Sequence, residues 1–261
     1  MILHSATAGD GPPMVILHGM LGQGRNWLSV GRLLSPRFRV ITLDLRNHGQ
    51  SPRGEPMDYH AMAADVAETM EHNGIGATAA VGHSMGGKVA MTLALTQPQR
   101  VRRLAVVDTA PVDYPPQNLP LVRALRAVDL AQARGRADVD LALRAAVPDN
   151  PTRAFLLQGL QSSEDGLTWK CDLEIMERYM PALSGFPVFG PQTTYPGPTL
   201  FVAGARSDHI RPEHERRIAL LFPGWRIVRV RAAGHWVHAD QPQAMATVLT
   251  EFVGQDVPPR A

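Results

Sequence analysis

Hydrophobic positions along residues 14–108 follow two alternating patterns. Short, continuous apolar runs rich in β-branched residues are separated by longer stretches in which apolar residues recur at helical spacing. Met14–His18, Phe38–Leu43, Ala77–Val81 and Arg103–Asp108 carry the first pattern and are predicted as strands. Arg25–Ser35, Met57–Asn73 and Ser84–Gln97 carry the second and are predicted as helices; Asn73-Gly74 closes one and Pro98 stops another. Strands that are apolar throughout must be covered on both faces. The expectation is an α/β chain: a mostly parallel central sheet with helices on both faces.

The rhythm breaks at Pro111, Pro115, Pro116 and Pro120. Residues 121–183 read as helices joined by loops, with helical patterns at Leu121–Ala133, Val139–Val147, Thr152–Gly159 and Leu173–Leu183. Pro187, Pro191, Pro196 and Pro198 close this section. Alternation then resumes with a strand at Thr199–Ala203, a helix at Pro212–Phe222, a strand at Arg226–Val230 and a helix at Gln241–Val253. Gly254–Ala261 is expected to be a frayed tail. The expected organisation is one α/β core built from residues 1–110 and 197–261, interrupted by a helical insertion over 111–196. No internal repeat and no low-complexity segment is found.

Composition narrows the class. The 261 residues are 44% hydrophobic and 19% charged, which supplies a packed core and excludes a disordered chain. Only two of the 26 basic residues are lysine (Lys88 and Lys170), and the arginines are scattered rather than gathered on one face, so no nucleic-acid partner is expected. No apolar run approaches the roughly 20 residues that span a bilayer. Met1–Ser5 has neither a charged n-region nor an apolar h-region. A single cysteine, Cys171, excludes an internal disulfide and a multi-thiolate zinc cluster. A soluble cytoplasmic protein is the resulting expectation.

The chemistry is concentrated at Gly82-His83-Ser84-Met85-Gly86, followed by Gly87. This pentapeptide joins a predicted strand to a predicted helix, the setting of a nucleophile elbow. So tight a turn leaves no room for side chains two residues either side of the serine, and it presents the Ser84 hydroxyl at the positive end of the helix. A serine hydroxyl needs a base. His235, in Ala233-Gly234-His235-Trp236, follows the last predicted strand and lies on the sheet edge where the elbow opens. His238, nearby, reads as a packing or capping residue. Two carboxylates are candidates to orient the imidazole: Asp108, which ends the strand after the nucleophile helix, and Asp208, in the loop after Thr199–Ala203. Order along the chain does not choose between them. Oxyanion stabilisation needs two backbone N–H donors, assigned to Met85 after the nucleophile and to Met20 in the turn after the first strand. His18, at the end of that strand, reads as a structural residue of the turn.

Together these residues resemble the α/β-hydrolase superfamily over nearly the whole chain. Three stretches look like the small esterase group typified by bacterial YbfF: LDLRNHGQSP (43–52), VGHSMGGKVAM (81–91) and AGHWVHADQP (233–242). In that group the helical insertion is a lid, which here would supply apolar walls to an acyl pocket. Many α/β-hydrolases carry the acid three residues after the glycine ending the later strand; counted from Gly204 that position is Ser207, and Asp208 is one residue late. The YbfF-like group draws the acid from a segment similar to VVDTAPVDY (106–114), which favours Asp108. The resemblance implies a serine carboxylic-ester hydrolase or thioesterase acting on short- to medium-chain acyl esters or thioesters, with no metal or organic cofactor. Perhydrolase or haloperoxidase-like activity, carbon–carbon bond hydrolysis and a catalytically silent ligand-binding protein are the alternatives left open.

Overall fold

The structure is a computed structural model that describes residues 1–164 and 166–256. Seven of its nine strands form one sheet. In chain order the strands are β1 (Ser5–Ala8), β2 (Pro13–Leu17), β3 (Arg39–Leu43), β4 (Thr78–His83), β5 (Val101–Val107), β6 (Leu160–Ser163), β7 (Gly166–Trp169), β8 (Thr199–Gly204) and β9 (Trp225–Val230). The large sheet runs β1-β3-β2-β4-β5-β8-β9. Every neighbouring pair in it is parallel except β1 with β3, which is antiparallel. The helices are α1 (Leu28–Leu34), α2 (Tyr59–His72), α3 (Met85–Thr96), α4 (Leu119–Arg126), α5 (Arg136–Leu143), α6 (Asn150–Leu156), α7 (Leu173–Arg178), α8 (Met180–Ser184), α9 (Pro212–Leu221), α10 (Val237–Asp240) and α11 (Pro242–Val253).

The side-chain period of two within each strand divides the core into two apolar layers. Val15, Leu17, Leu104 and Val106 point to the layer shared with α2 and α3. Met14, Ile16, Ala105 and Val107 point to the layer shared with α1 and α11. The central strand β4 is buried at all six positions, so its apolar run is continuous. Burial on both faces therefore produced the strand signal in the sequence, as a parallel sheet requires.

Between β5 and β8 lie five short helices and the β6–β7 hairpin. Val122, Leu143 and Met176 from this segment join the same apolar layer as Met62 and Val89 of the sheet-covering helices. The hairpin corrects the expectation of helices and loops alone. Its strands are short and mostly exposed, so they carry no continuous apolar run. The single predicted helix at Leu173–Leu183 is two helices meeting at Tyr179, because Pro181 has no N–H to continue the ladder. The helix predicted at Leu121–Ala133 ends instead at Arg126, and Asp129 Oδ1 then accepts from Ala131 N in a local turn. β1 gives no strand signal in the sequence, because four small and polar residues, SATA, carry no apolar run. Of the tail expected to fray, Gly254–Asp256 form a 3-10 turn, and residues 257–261 lie outside the described residues. Among the described residues no helix is long and apolar enough to cross a membrane.

Candidate active site

Ser84 sits between β4 and α3 with φ 51° and ψ −116°, a conformation that L-residues rarely adopt. Such a residue costs on the order of 1–3 kcal/mol and persists only where its surroundings over-determine it. They do so here: Ser84 N donates to Val107 O at 2.9 Å, and Ser84 O accepts from Lys88 N at 3.1 Å. The two glycines of the pentapeptide are required by contact. A Cβ on Gly82 would stand 2.1 Å from the Gly86 carbonyl oxygen, and one on Gly86 would stand 2.5 Å from the carbonyl oxygens of Leu17 and His18. The turn therefore packs backbone against backbone, and the first helical N–H groups of α3 converge beside the serine, where they favour negative charge.

His235 follows β9 in the loop before α10, and its Nδ1 lies 2.8 Å from Asp108 Oδ2. With Nδ1–H donating to the carboxylate, the neutral ring keeps its lone pair on Nε2. His83 Nε2 donates to the backbone carbonyl of His235 at 2.9 Å and fixes that loop. Asp108 is fully buried at the end of β5, itself at φ 52°. Its Oδ1 accepts from Gly204 N at 2.9 Å, and its Oδ2 accepts a second time, from Ser207 Oγ at 2.5 Å. Asp208 lies elsewhere: its side chain is 81% exposed and pairs with Arg211 at 3.1 Å.

Two further residues adjoin this couple, Ser207 and His209. Ser207 occupies the position where the later strand often carries an acid, and it hydrogen-bonds the acid of the earlier strand instead. His209, two residues on, stacks on His235 with ring centroids 4.0 Å apart. Its Nδ1 lies 3.1 Å from Ser207 Oγ. Burial, and then the neighbouring His235, push its imidazolium down to a pKa of about 4. The only signal for His209 was its place just beyond the carboxyl end of β8.

Met20 and Met85 line the same cavity as Ser84. The Met85 N–H opens α3 and has no intrahelical acceptor. The Met20 turn is held from below. His18 Nε2 accepts from Leu45 N at 2.9 Å, and His48 Nε2 accepts from Leu21 N at 3.3 Å. Both rings are kept neutral by burial, His48 down to about 3. The Arg46-Asn47-His48-Gly49 stretch thus braces the turn on one side, and Asn47 O accepts from Asp172 N, at the start of α7, on the other.

The cavity has a volume of about 50 Å³, several times what one water molecule needs by this measure (roughly 10–15 Å³). Its walls are more polar than an apolar acyl pocket would be: Lys88, Thr109, Gln117, Asn118, Ser184 and His209 all contribute. Of the apolar side chains expected from the insertion, Leu183 is the one that reaches this cavity. Leu125, Leu156, Leu160, Met176 and Met180 are buried in the core instead. Cys171 is buried and its thiol is pushed up to about 12 by burial, which leaves it unsuited to be a nucleophile.

Asp108, His209 and His235 bring three possible metal-ligand atoms within 4.8 Å of one another. A metal there would have to displace the hydrogen bonds that Asp108 Oδ2 already accepts from His235 and Ser207.

Comparison with known proteins gives the family of the chain. Residues 12–242 match the α/β hydrolase fold family. The sn-1-specific diacylglycerol lipase ABHD11 of Xenopus laevis is 38% identical over 251 residues, covering 93% of this chain and 80% of that one. Esterase YbfF of Escherichia coli is 30% identical, covering 92% of each chain. A marine microorganism esterase of known structure superposes with a TM-score of 0.93 at 32% identity, covering 97% of this chain and 99% of its own. Matched over nearly its whole length, and with named esterases and lipases as relatives, the chain belongs to the α/β hydrolase family and is a hydrolase.

Proposed function

We propose that the chain is a serine hydrolase that cleaves short- to medium-chain carboxylic esters or thioesters through an acyl-enzyme, with Ser84 as nucleophile, His235 as base and Asp108 as the orienting acid. The observation that carries this reading is the 2.8 Å contact between His235 Nδ1 and the buried Asp108 carboxylate, on the sheet edge where the strained elbow presents Ser84. Asp108 holds the imidazole in the tautomer with its lone pair on Nε2. That nitrogen takes the Ser84 proton as Oγ attacks the acyl carbonyl. The Met20 and Met85 amides receive the oxyanion, where fixed donors in a water-poor cavity are worth far more than in solution. His235 then protonates the departing alcohol or thiol. Water, deprotonated by the same nitrogen, attacks the acyl-enzyme and releases the acid and Ser84. No step needs a metal or organic cofactor.

Two further assignments belong to this reading. The segment from 111 to 196 acts as a cap over the core of residues 1–110 and 197–261, since Leu183, Ser184, Gln117 and Asn118 roof the cavity beside Ser84. Ser207 and His209 support the acid and the base rather than react: the Ser207 hydroxyl holds Asp108, and the His209 ring stacks on His235.

Release of p-nitrophenol from acetyl, butyryl and octanoyl esters by wild type and Ser84→Ala, side by side, tests the proposal. Turnover by wild type with less than a tenth of it left in Ser84→Ala is the expected result. Equal turnover by the two proteins would overturn the assignment. Because the cavity is small, activity is expected to fall from butyryl to octanoyl.

A further inference from the structure

Lys88 has no part in the chemistry above, yet it lines the same cavity as Ser84. It stands four residues beyond Ser84, in the first turn of α3, and Lys88 N donates to Ser84 O at 3.1 Å. Its ammonium is buried, with the residue only 2% exposed. Nζ donates to the carbonyl oxygens of Ser184 at 3.0 Å and Gly185 at 2.5 Å. The Tyr114 and Tyr59 rings lie 4.7 and 5.6 Å from it. Among the described residues no carboxylate stands within ion-pair distance of Nζ. The carboxylate that acts on it from farther off, Asp113, already accepts from Phe186 N at 2.7 Å.

A buried cation is ordinarily paired with an anion, because carbonyl dipoles and aromatic faces do not cancel a full charge. Two of the three ammonium donors are committed to carbonyls, which leaves one for another acceptor. Burial has pushed this lysine down to about 7, as expected of an ammonium short of a counter-charge. An alkyl chain in this cavity would bury apolar surface against that charge without pairing it. A short acyl chain ending in a carboxylate would supply the missing anion, and Thr109, Gln117 and Asn118 in the same walls offer polar groups along the way.

We propose that the cavity beside Ser84 is a subsite for an anionic acyl group, with Lys88 as its cation, so that the preferred substrates are half-esters or thioesters of short dicarboxylic acids. The inference rests on Ser84 being the acylated residue. The test compares kcat/KM for monoethyl succinate with ethyl butyrate, and for monoethyl glutarate with ethyl valerate, on wild type and Lys88→Met. Wild type is expected to favour each half-ester at least tenfold, and Lys88→Met to remove that preference. The ratio of two substrates on one protein cancels differences in active fraction. Preference for the alkyl esters, or a ratio unchanged in Lys88→Met, overturns the proposal.

If Lys88→Met does not fold, inhibition of wild-type p-nitrophenyl acetate hydrolysis decides: succinate is expected to compete where butyrate at equal concentration does not, and equal inhibition overturns the proposal. If wild type hydrolyses no ester at all, the esterase reading fails separately. Calorimetry with succinate on wild type and Lys88→Met then decides the subsite alone. Binding lost with the lysine sustains it, and the absence of binding to wild type overturns it.

Discussion

Three hydrogen bonds converge on the Asp108 carboxylate, from Gly204 N, Ser207 Oγ and His235 Nδ1. This convergence is what favours Asp108 over Asp208 in the proposed triad. Asp108→Asn is expected to lower kcat about a thousandfold or more, because an amide can donate to Nδ1 and stabilise the wrong tautomer. Asp208→Asn, on an exposed carboxylate paired with Arg211, is expected to leave kcat within about twofold. Steady-state kinetics showing the reverse ranking would move the acid to Asp208. Ser84, His235 and the two candidate acids stand out in the sequence because each lies at or just beyond the carboxyl end of a strand in a recognisable local pattern. Ser207 and His209 do not, because their roles depend on how the loop after β8 folds back over Asp108, a contact between residues about a hundred positions apart.

At the scale of elements, legibility followed burial. β2, β3, β4, β5 and β8 are legible in the sequence because a strand covered on both faces has few polar positions to confuse its pattern, whereas β9, exposed along one face, is legible from its β-branched residues. The short edge strand β1 and the half-exposed β6–β7 hairpin lack that signature and depend on pairing partners instead. The elbow is the element on which the site turns. Gly82→Ala would press a Cβ against the Gly86 carbonyl at 2.1 Å, where neither partner is a flexible side chain. The substitution is expected to destabilise the protein by about 3 kcal/mol or more, toward the upper end of overpacking costs, and to abolish activity. Thermal unfolding and ester turnover measured on the same preparation check both effects; a variant with wild-type Tm would mean that the turn has room the structure does not show.

Across the described residues, five histidines are held toward the neutral form by their surroundings. His18, His48, His83 and His238 are buried, and burial disfavours the charged form of each, with His48 and His238 pushed down to about 3. Half-buried His209 is held near 4, first by burial and then by His235. In the unfolded chain these rings take up protons near pH 6.5. Below that pH the unfolded state binds protons that the folded state refuses, so stability falls as pH drops from about 6.5 toward 4 and is level above about 7. Tm measured across that range should decline on the acid side, and an equal Tm at about pH 5 and pH 8 would contradict the burial of these rings. His238 shows what such a ring does for packing: it stacks on Trp27 at 4.4 Å and thereby ties α10 to the layer under α1.

In the proposed mechanism Ser84 Oγ is the atom acylated, and Asp108, through His235, makes it reactive. Labelling with a fluorophosphonate probe, followed by peptide mapping, tests it without assuming a substrate. A single adduct on Ser84 is expected in wild type, with labelling of Asp208→Asn at the wild-type rate and of Asp108→Asn and His235→Ala roughly a hundredfold or more slower. An adduct on another residue, or a folded wild-type protein that does not react, would contradict that mechanism.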